Sequence, residues 1–228
     1  MLVISLRLAA AFLPLLEYLL WIAFSCIAAE VAGYWVHRLL HSEKIAFLSR
    51  NHMIHHIQLY GPMQPMRPEA QYRGTTEDRP SLGDIGLEWL VPAVSVLGVF
   101  EAFFWWMGVS PLYQVTFVIV ALSWARLMLN YLHNWMHVQD FWMERNPLLR
   151  KWFLAARRLH DIHHHQLDDK GKMNRNFGIG FYILDRIFGT FSLKHRAFNP
   201  TGLEAAKRRH EVLYSRQPKV DTTVSPSA

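Results

Sequence analysis

Three apolar runs, about residues 8–36, 89–106 and 112–132, dictate what this 228-residue chain can become. About 20 apolar residues in a helix cross the hydrocarbon core of a bilayer, so the runs predict membrane-spanning helices. The first exceeds one crossing and carries Glu17 and Glu30 with no Lys or Arg after Arg7. It reads as a tilted helix that protrudes into water, or as an entry segment bent near Pro14. A cleaved signal peptide is the poorer account, because its apolar stretch would be about 7–15 residues long. Trp at both ends of the second run matches rings lying at the two headgroup levels. Only "MGVSP" separates the second run from the third, which predicts a tight helical hairpin. Glu101 and Arg126, costly inside lipid, are expected to face the bundle interior as a structural ion pair.

Ten of the 13 histidines fall in four boxes beside or just after apolar segments: His37/His41, His52/His55/His56, His133/His137 and His160/His163/His164. Helical positions three and four apart share a face, so each box is expected to aim two or more imidazoles at one point. Neutral imidazole is the commonest protein metal ligand and suits iron, zinc, copper and nickel. One ion takes about four to six ligands, so ten imidazoles predict two ions. A lone HxxxH pair is commonplace, whereas HxxxH followed by HxxHH, twice over, is a metal-site pattern. His165, His195 and His210 lie outside it and read as ordinary histidines.

Charge gives the orientation. Of 24 Lys and Arg residues, only Arg7 and Arg126 lie outside the two histidine-bearing stretches, 37–88 and 133–228. Positive charge is retained on the cytoplasmic side of a membrane, which predicts that all four boxes are cytoplasmic, joined across the hairpin. The net charge of +6 fits an anionic membrane surface and not a nucleic acid.

The remainder is less specific. In residues 146–159, Asn146 can cap a helix and Pro147 can occupy its first position. Leu148, Leu149, Trp152, Phe153, Ala156 and Leu159 then oppose Arg150, Lys151, Arg157 and Arg158, as in a helix lying in the membrane interface. The alternative is a helix packed on a soluble core. Cys26 is the single cysteine, which excludes an internal disulfide. Residues 60–86 read as an irregular lid, and 217–228 as a disordered tail behind a single domain of residues 1–216. No dinucleotide fingerprint is present, so reducing equivalents must come from outside.

The segment Glu30-Val-Ala-Gly-Tyr-Trp-Val-His37-Arg38-Leu-Leu-His41, followed by Asn51-His52-Met-Ile-His55-His56, resembles the opening of the fatty acid hydroxylase and sterol desaturase superfamily. His133-Asn-Trp-Met-His137, Leu159-His160-Asp-Ile-His163-His164, Asn176-Phe-Gly and Asp185-Arg-Ile-Phe-Gly-Thr190 extend the resemblance to about residues 30–192. It implies an all-α integral membrane bundle whose cytoplasmic helical cap carries a histidine-ligated di-metal site. The ten boxed histidines would be its ligands, the metal two iron ions (or zinc in purified protein), and the reaction an O2-dependent hydroxylation or desaturation of a lipid such as a fatty acyl chain or a sterol. The membrane would be a bacterial inner membrane or the endoplasmic reticulum. Electrons would come from a separate ferredoxin or cytochrome b5-like protein and its reductase. Glu30, seven residues before His37, and Asn176 could each hydrogen-bond a ligand imidazole from behind, and each has a purely structural alternative. The family usually crosses the membrane about four times, more often than the two clear spans and one long run seen here.

Two other classes compete. A zinc-dependent membrane hydrolase would use an all-imidazole site, but HExxH is absent and no Glu lies inside a box to serve as a base. A metal-binding or transport protein would line its spans with histidine, whereas here the boxes lie at span ends and beyond.

Overall fold

The computed structural model describes residues 2–72, 81–82 and 85–215 of the chain. The expected tail therefore lies outside the described residues, as does part of the expected lid. The described chain is helical apart from an antiparallel ladder of two residues on each side, Ser81–Leu82 with Ile85–Gly86. The elements are α1 (Leu2–Ser42), α2 (Ala46–Ile54), α3 (Leu87–Trp106), α4 (Pro111–Ala125), α5 (His133–Trp135), α6 (Arg150–His165), α7 (Ile183–Ile187) and α8 (Pro200–Ser215). Two π-helical stretches extend them: His55–Leu59 continues α2, and Arg126–Leu132 joins α4 to α5.

Among the described residues, three helices are long and apolar enough to cross a membrane: Leu13–Ser42, Leu87–Trp106 and Pro111–Trp135. The 41 residues of α1 span about 60 Å at 1.5 Å per residue, roughly twice a bilayer's hydrocarbon thickness. The helix runs unbroken through Pro14, so the expected bend there is absent and the length exceeds one crossing. His37 and His41 stand in its last two turns.

The hairpin closes as its loop predicts. Gly108 has φ +70°, the left-handed conformation that ends a helix. The N–H of Val109 reaches back to the Phe104 carbonyl at 2.9 Å, and that of Gly108 to Trp105 at 3.1 Å. Pro111 then starts α4 at a position where its missing N–H costs nothing. Helix α1 packs on this hairpin through Ala28, Phe104, Phe117 and Ala121. Trp21 seals the contact by donating to the Tyr113 carbonyl at 2.7 Å.

Two expectations about the spans need correction. Glu101 follows Phe100, which packs on Phe117 with centroids 5.1 Å apart, whereas Arg126 stands nine residues further along α4, roughly 14 Å at helical rise, so the two charges do not face each other. Trp105 and Trp106 are exposed at the turn, as an interfacial belt requires. Trp89 instead turns inward, its ring centroid 6.3 Å from that of His37 and 6.0 Å from that of His52.

The segment 146–159 also differs. The helix begins at Arg150, and the Asn146 side chain accepts the N–H groups of Leu148 and Leu149 at 3.0 and 3.1 Å, capping the preceding turn. Phe153, Ala156 and Leu159 enter a core with Met128, Leu132, Met136 and Phe141, so the apolar side of α6 is covered by protein and not by lipid. Arg157, expected on the solvated side, is buried. It donates to Glu144 at 2.6 Å and to the Val138 carbonyl at 2.8 Å, and so ties α6 to the segment carrying His133 and His137. Arg157→Ala takes the guanidinium from the Glu144 carboxylate, which keeps the Phe141 N–H at 2.9 Å, and from the Val138 carbonyl. The expected loss is about 1–3 kcal/mol, read as a lowered unfolding temperature of the detergent-solubilised protein.

Helix α8 has no counterpart among the sequence expectations. Ala206 packs with Leu167 and Met173. Arg209 donates to both carboxylate oxygens of Glu43, at 2.9 and 3.2 Å, and pins α8 to the end of α1.

Candidate metal centre

All ten boxed histidines are buried, and they form two groups of five. His37, His41, His52, His56 and His163 make the first; His55, His133, His137, His160 and His164 make the second. Within each group the five candidate ligand nitrogens lie within 4.8 Å of one another.

The grouping follows a rule that the boxes only half show. Pairs four apart stay together: His37/His41 and His52/His56 in the first cluster, His133/His137 and His160/His164 in the second. The middle histidine of each HxxHH box crosses over, so that His55 serves the second cluster and His163 the first. Neighbouring residues on a helix diverge by about 100°, and the doublets His55/His56 and His163/His164 use that divergence to reach two points at once. Each box thus aims two imidazoles at one point, as expected, and the HxxHH boxes send their third to the other cluster. His56 and His164 stack with centroids 3.9 Å apart where the clusters meet. The π-helical stretches, features often found at functional sites, lie at this junction: one contains His55 and His56, the other leads into His133.

The donor set fits metal ions. The Nδ1–H groups of His37, His137 and His163 donate to the carbonyls of Phe177, Pro65 and Arg175, each at 2.6 Å, and that of His164 to Tyr60 at 2.8 Å. A carbonyl can only accept, so in these four rings Nε2 is left as a bare lone pair. Nε2 of His163 and Nε2 of His164 are buried and meet no hydrogen-bond donor, a costly arrangement that a cation would resolve. Elsewhere Nε2 faces Nε2: His37 and His41 at 3.2 Å, His41 and His52 at 2.8 Å, His52 and His56 at 3.2 Å, His137 and His160 at 3.1 Å. With metal–imidazole bonds of about 2.1 Å, ligands at right angles stand about 3.0 Å apart, the spacing found here.

Electrostatics agrees. Burial, reinforced by neighbouring imidazoles, pushes His52, His55, His56, His137, His160, His163 and His164 well below the ordinary histidine value. Their rings are neutral at pH 7, as ligation requires. Asp161, inside the last box, is pushed up to about 6 by burial, with Arg157 opposing.

The two expected supporting residues behave differently. Glu30 touches no imidazole; its carboxylate accepts the Trp124 indole N–H at 3.0 Å. Asn176 also touches none, but it holds the loop that does. At φ +54°, its amide donates to the carbonyls of Leu159 (3.1 Å) and Ser192 (2.9 Å) and accepts from Ser192 N–H (2.8 Å). Its flanking carbonyls, Arg175 and Phe177, are those that take His163 and His37. Of the histidines outside the boxes, His165 and His195 stack at 4.1 Å away from both clusters, and His210 is buried on α8.

Two residues have roles at the site that their sequence signals did not indicate. Asp185 is fully buried and accepts from the Phe177 and Gly178 N–H groups, both at 2.8 Å, and from the Thr190 hydroxyl at 2.6 Å. Trp89 forms a wall between the imidazoles and an apolar cavity lined by Ala28, Ala32, Gly33, Leu97 and Ala121. A second cavity of about 680 Å3 adjoins it between α1 and α3, sharing Ala28, Ala32, Val36, Val96 and Phe100.

Residues 87–190 match the family model described as Fatty acid hydroxylase. The matched segment contains His133, His137, His160, His163 and His164; the other five boxed histidines precede it and reach the same place through the fold. Comparisons with curated proteins and with solved structures gave no match.

Proposed function

We propose that this chain, which carries a fatty acid hydroxylase family domain over residues 87–190, is a membrane oxidoreductase that inserts oxygen into, or desaturates, a hydrocarbon chain of a lipid. The observation that carries the reading is the shared wall: Trp89 touches the His37 and His52 rings on one side and lines an apolar cavity within the spans on the other. Two five-imidazole groups beside a water-poor hydrocarbon slot suit attack on an unactivated C–H bond better than hydrolysis, which needs a water and a base.

The ten histidines would hold two ions, iron in this reading, which supply O2 activation when electrons arrive from a ferredoxin or cytochrome b5-like carrier and its reductase. The balanced hydroxylation is R–H + O2 + 2 electrons + 2 protons giving R–OH + H2O; desaturation takes two hydrogens from the chain and returns two waters. The protein's own contribution is positional. Ala28, Ala32 and Gly33 leave room on α1 for an alkyl chain, Trp89 limits its approach to the imidazoles, and the apolar lining keeps water out. Lys and Arg placement supports a cytoplasmic site facing soluble donors.

Lipid mass spectrometry of cells with and without the chain tests this reading, with Ala32→Phe as an internal control. The expected result is a lipid shifted by one oxygen or by two hydrogens in the presence of the wild type. Ala32→Phe, which fills the slot, is expected to lower that product by about tenfold or more at unchanged metal content. Purified protein that holds stoichiometric zinc and consumes no oxygen after iron reconstitution would overturn the oxidase reading.

A further inference from the structure

The outer supports of the two clusters are separate. The carbonyls that take ligand Nδ1–H groups in the first cluster, Phe177 for His37 and Arg175 for His163, belong to one loop. Those of the second cluster, Tyr60 for His164 and Pro65 for His137, belong to another. No carbonyl of either loop serves the other cluster among these four bonds.

Each loop has its own charged anchor. Asp185 fixes the first by accepting the N–H groups of Phe177 and Gly178, the latter in the same peptide group as the carbonyl that holds His37. Thr190 extends this anchor to α1, donating to Asp185 and sharing a hydrogen bond of 2.9 Å with the Tyr34 hydroxyl. A Cβ at Gly178 would lie 2.3 Å from the Phe181 carbonyl oxygen and 3.0 Å from the Asp185 carboxylate, so the carboxylate closes directly on the backbone. Arg67 fixes the second loop. Its guanidinium donates to the Leu59 carbonyl and lies 5.5 Å from the centroid of the Tyr60 ring. That ring stacks on His137 at 4.2 Å. Its backbone bonds to His137 and Gln139, at 2.8 and 3.0 Å, tie the loop to the segment after α5.

We infer that Asp185 and Arg67 are positioning residues for different metal ions: Asp185 orients His37 and His163 for the first cluster, and Arg67 orients His137 and His164 for the second. The two ions are then separately supported, and one can be weakened without the other, although the doublets interleave their ligands. Outer partners of metal ligands are worth about 10–100-fold in metal affinity, and here each such loss is confined to one ion. The inference rests on the reading that both clusters hold metal, and it is independent of lipid and of oxygen.

Anaerobic titration of the purified full chain with Co(II), followed by visible absorption and metal analysis, tests it. Wild type is expected to take up two ions per chain, and failure to bind any would count against the metal reading itself. Asp185→Asn is expected to weaken one ion by about 10–100-fold and to leave the other, with a residual spectrum matching that of His41→Ala, which disables only the first cluster. Arg67→Gln is expected to leave the complementary spectrum, matching His160→Ala. Should Asp185→Asn fail to fold, Thr190→Val loosens the same anchor and is read in the same way. Equal weakening of both ions in Asp185→Asn or Thr190→Val, or the spectrum of the wrong cluster, overturns the inference.

Discussion

Replacing His163 by alanine is expected to abolish product formation while leaving the chain in the membrane. His163 is the single ligand that α6 sends to the first cluster, with centroids 4.8 Å from His37, 4.6 Å from His41 and 4.8 Å from His56. No neighbouring side chain can replace it, because its box companions His160 and His164 belong to the other cluster. Outer partners of metal ligands are worth about 10–100-fold in affinity or activity, so loss of a ligand itself should exceed about 100-fold. Product mass spectrometry and membrane flotation of the same preparation separate lost chemistry from lost insertion. His165→Ala is the matching control, since that ring rests on the Pro62 and Arg196 carbonyls. A fully active His163→Ala protein contradicts the ligand assignment.

Acid is expected to unfold the metal-free cap over a narrow range. Seven histidines outside the spans are held neutral, with burial the main cause and neighbouring imidazoles second. Their folded-state values lie below the ordinary value near 6.5. Above that pH both folded and unfolded chains are neutral, and stability is fully present. As pH falls below it, the unfolded chain takes up protons that the folded one cannot accept, and stability drains away until the folded values are reached. One group costs about 1.4 kcal/mol per pH unit in this window. Seven together reach an upper bound of about 10 kcal/mol per unit, comparable with the whole stability of a typical domain. Asp161 works in the opposite sense: raised to about 6, it takes up its proton more readily in the folded state as pH falls, and offsets one of the seven. Thermal melts of apo and metal-loaded protein between pH 7.5 and 5 check this. The apo melting temperature should drop steeply below about pH 6.5, with loaded protein persisting to lower pH because protons must displace the ion. A flat apo profile would contradict the neutral, crowded clusters.

The sequence made the spans and the histidines legible because both signals are local. A 20-residue apolar run or a four-residue spacing is visible without knowing what it packs against. The division into clusters is not local. His55 and His56 are adjacent in the chain but serve different clusters, and only the approach of α6 to α2 makes that visible. The supporting shell was harder still, because backbone carbonyls carry no residue signature: Tyr60, Pro65, Arg175 and Phe177 hold imidazoles by atoms every residue possesses. Asn176 and Asp185 lay in recognisable motifs, yet they act through the backbone between them and not on an imidazole. Trp89 looked like a headgroup anchor because composition cannot tell a ring facing lipid from one facing histidine. Glu30 shares a helical face with His37 by spacing, but the indole of Trp124 across the bundle claims its carboxylate.

The exchange of His55 and His163 between clusters also sets the order in which the protein can mature. The ribosome delivers His37 and His41 first, and the first cluster waits for His163, 126 positions later. At about 5–20 residues per second, that interval lasts roughly 6–25 s. The second cluster likewise lacks two of its five imidazoles, His160 and His164, until α6 emerges. Neither five-imidazole group is complete on an early half of the chain: one stalled before residue 160 holds four members of the first group and three of the second. Completion of both groups is thereby deferred until α6 has docked, the last of the box-bearing helices to be made.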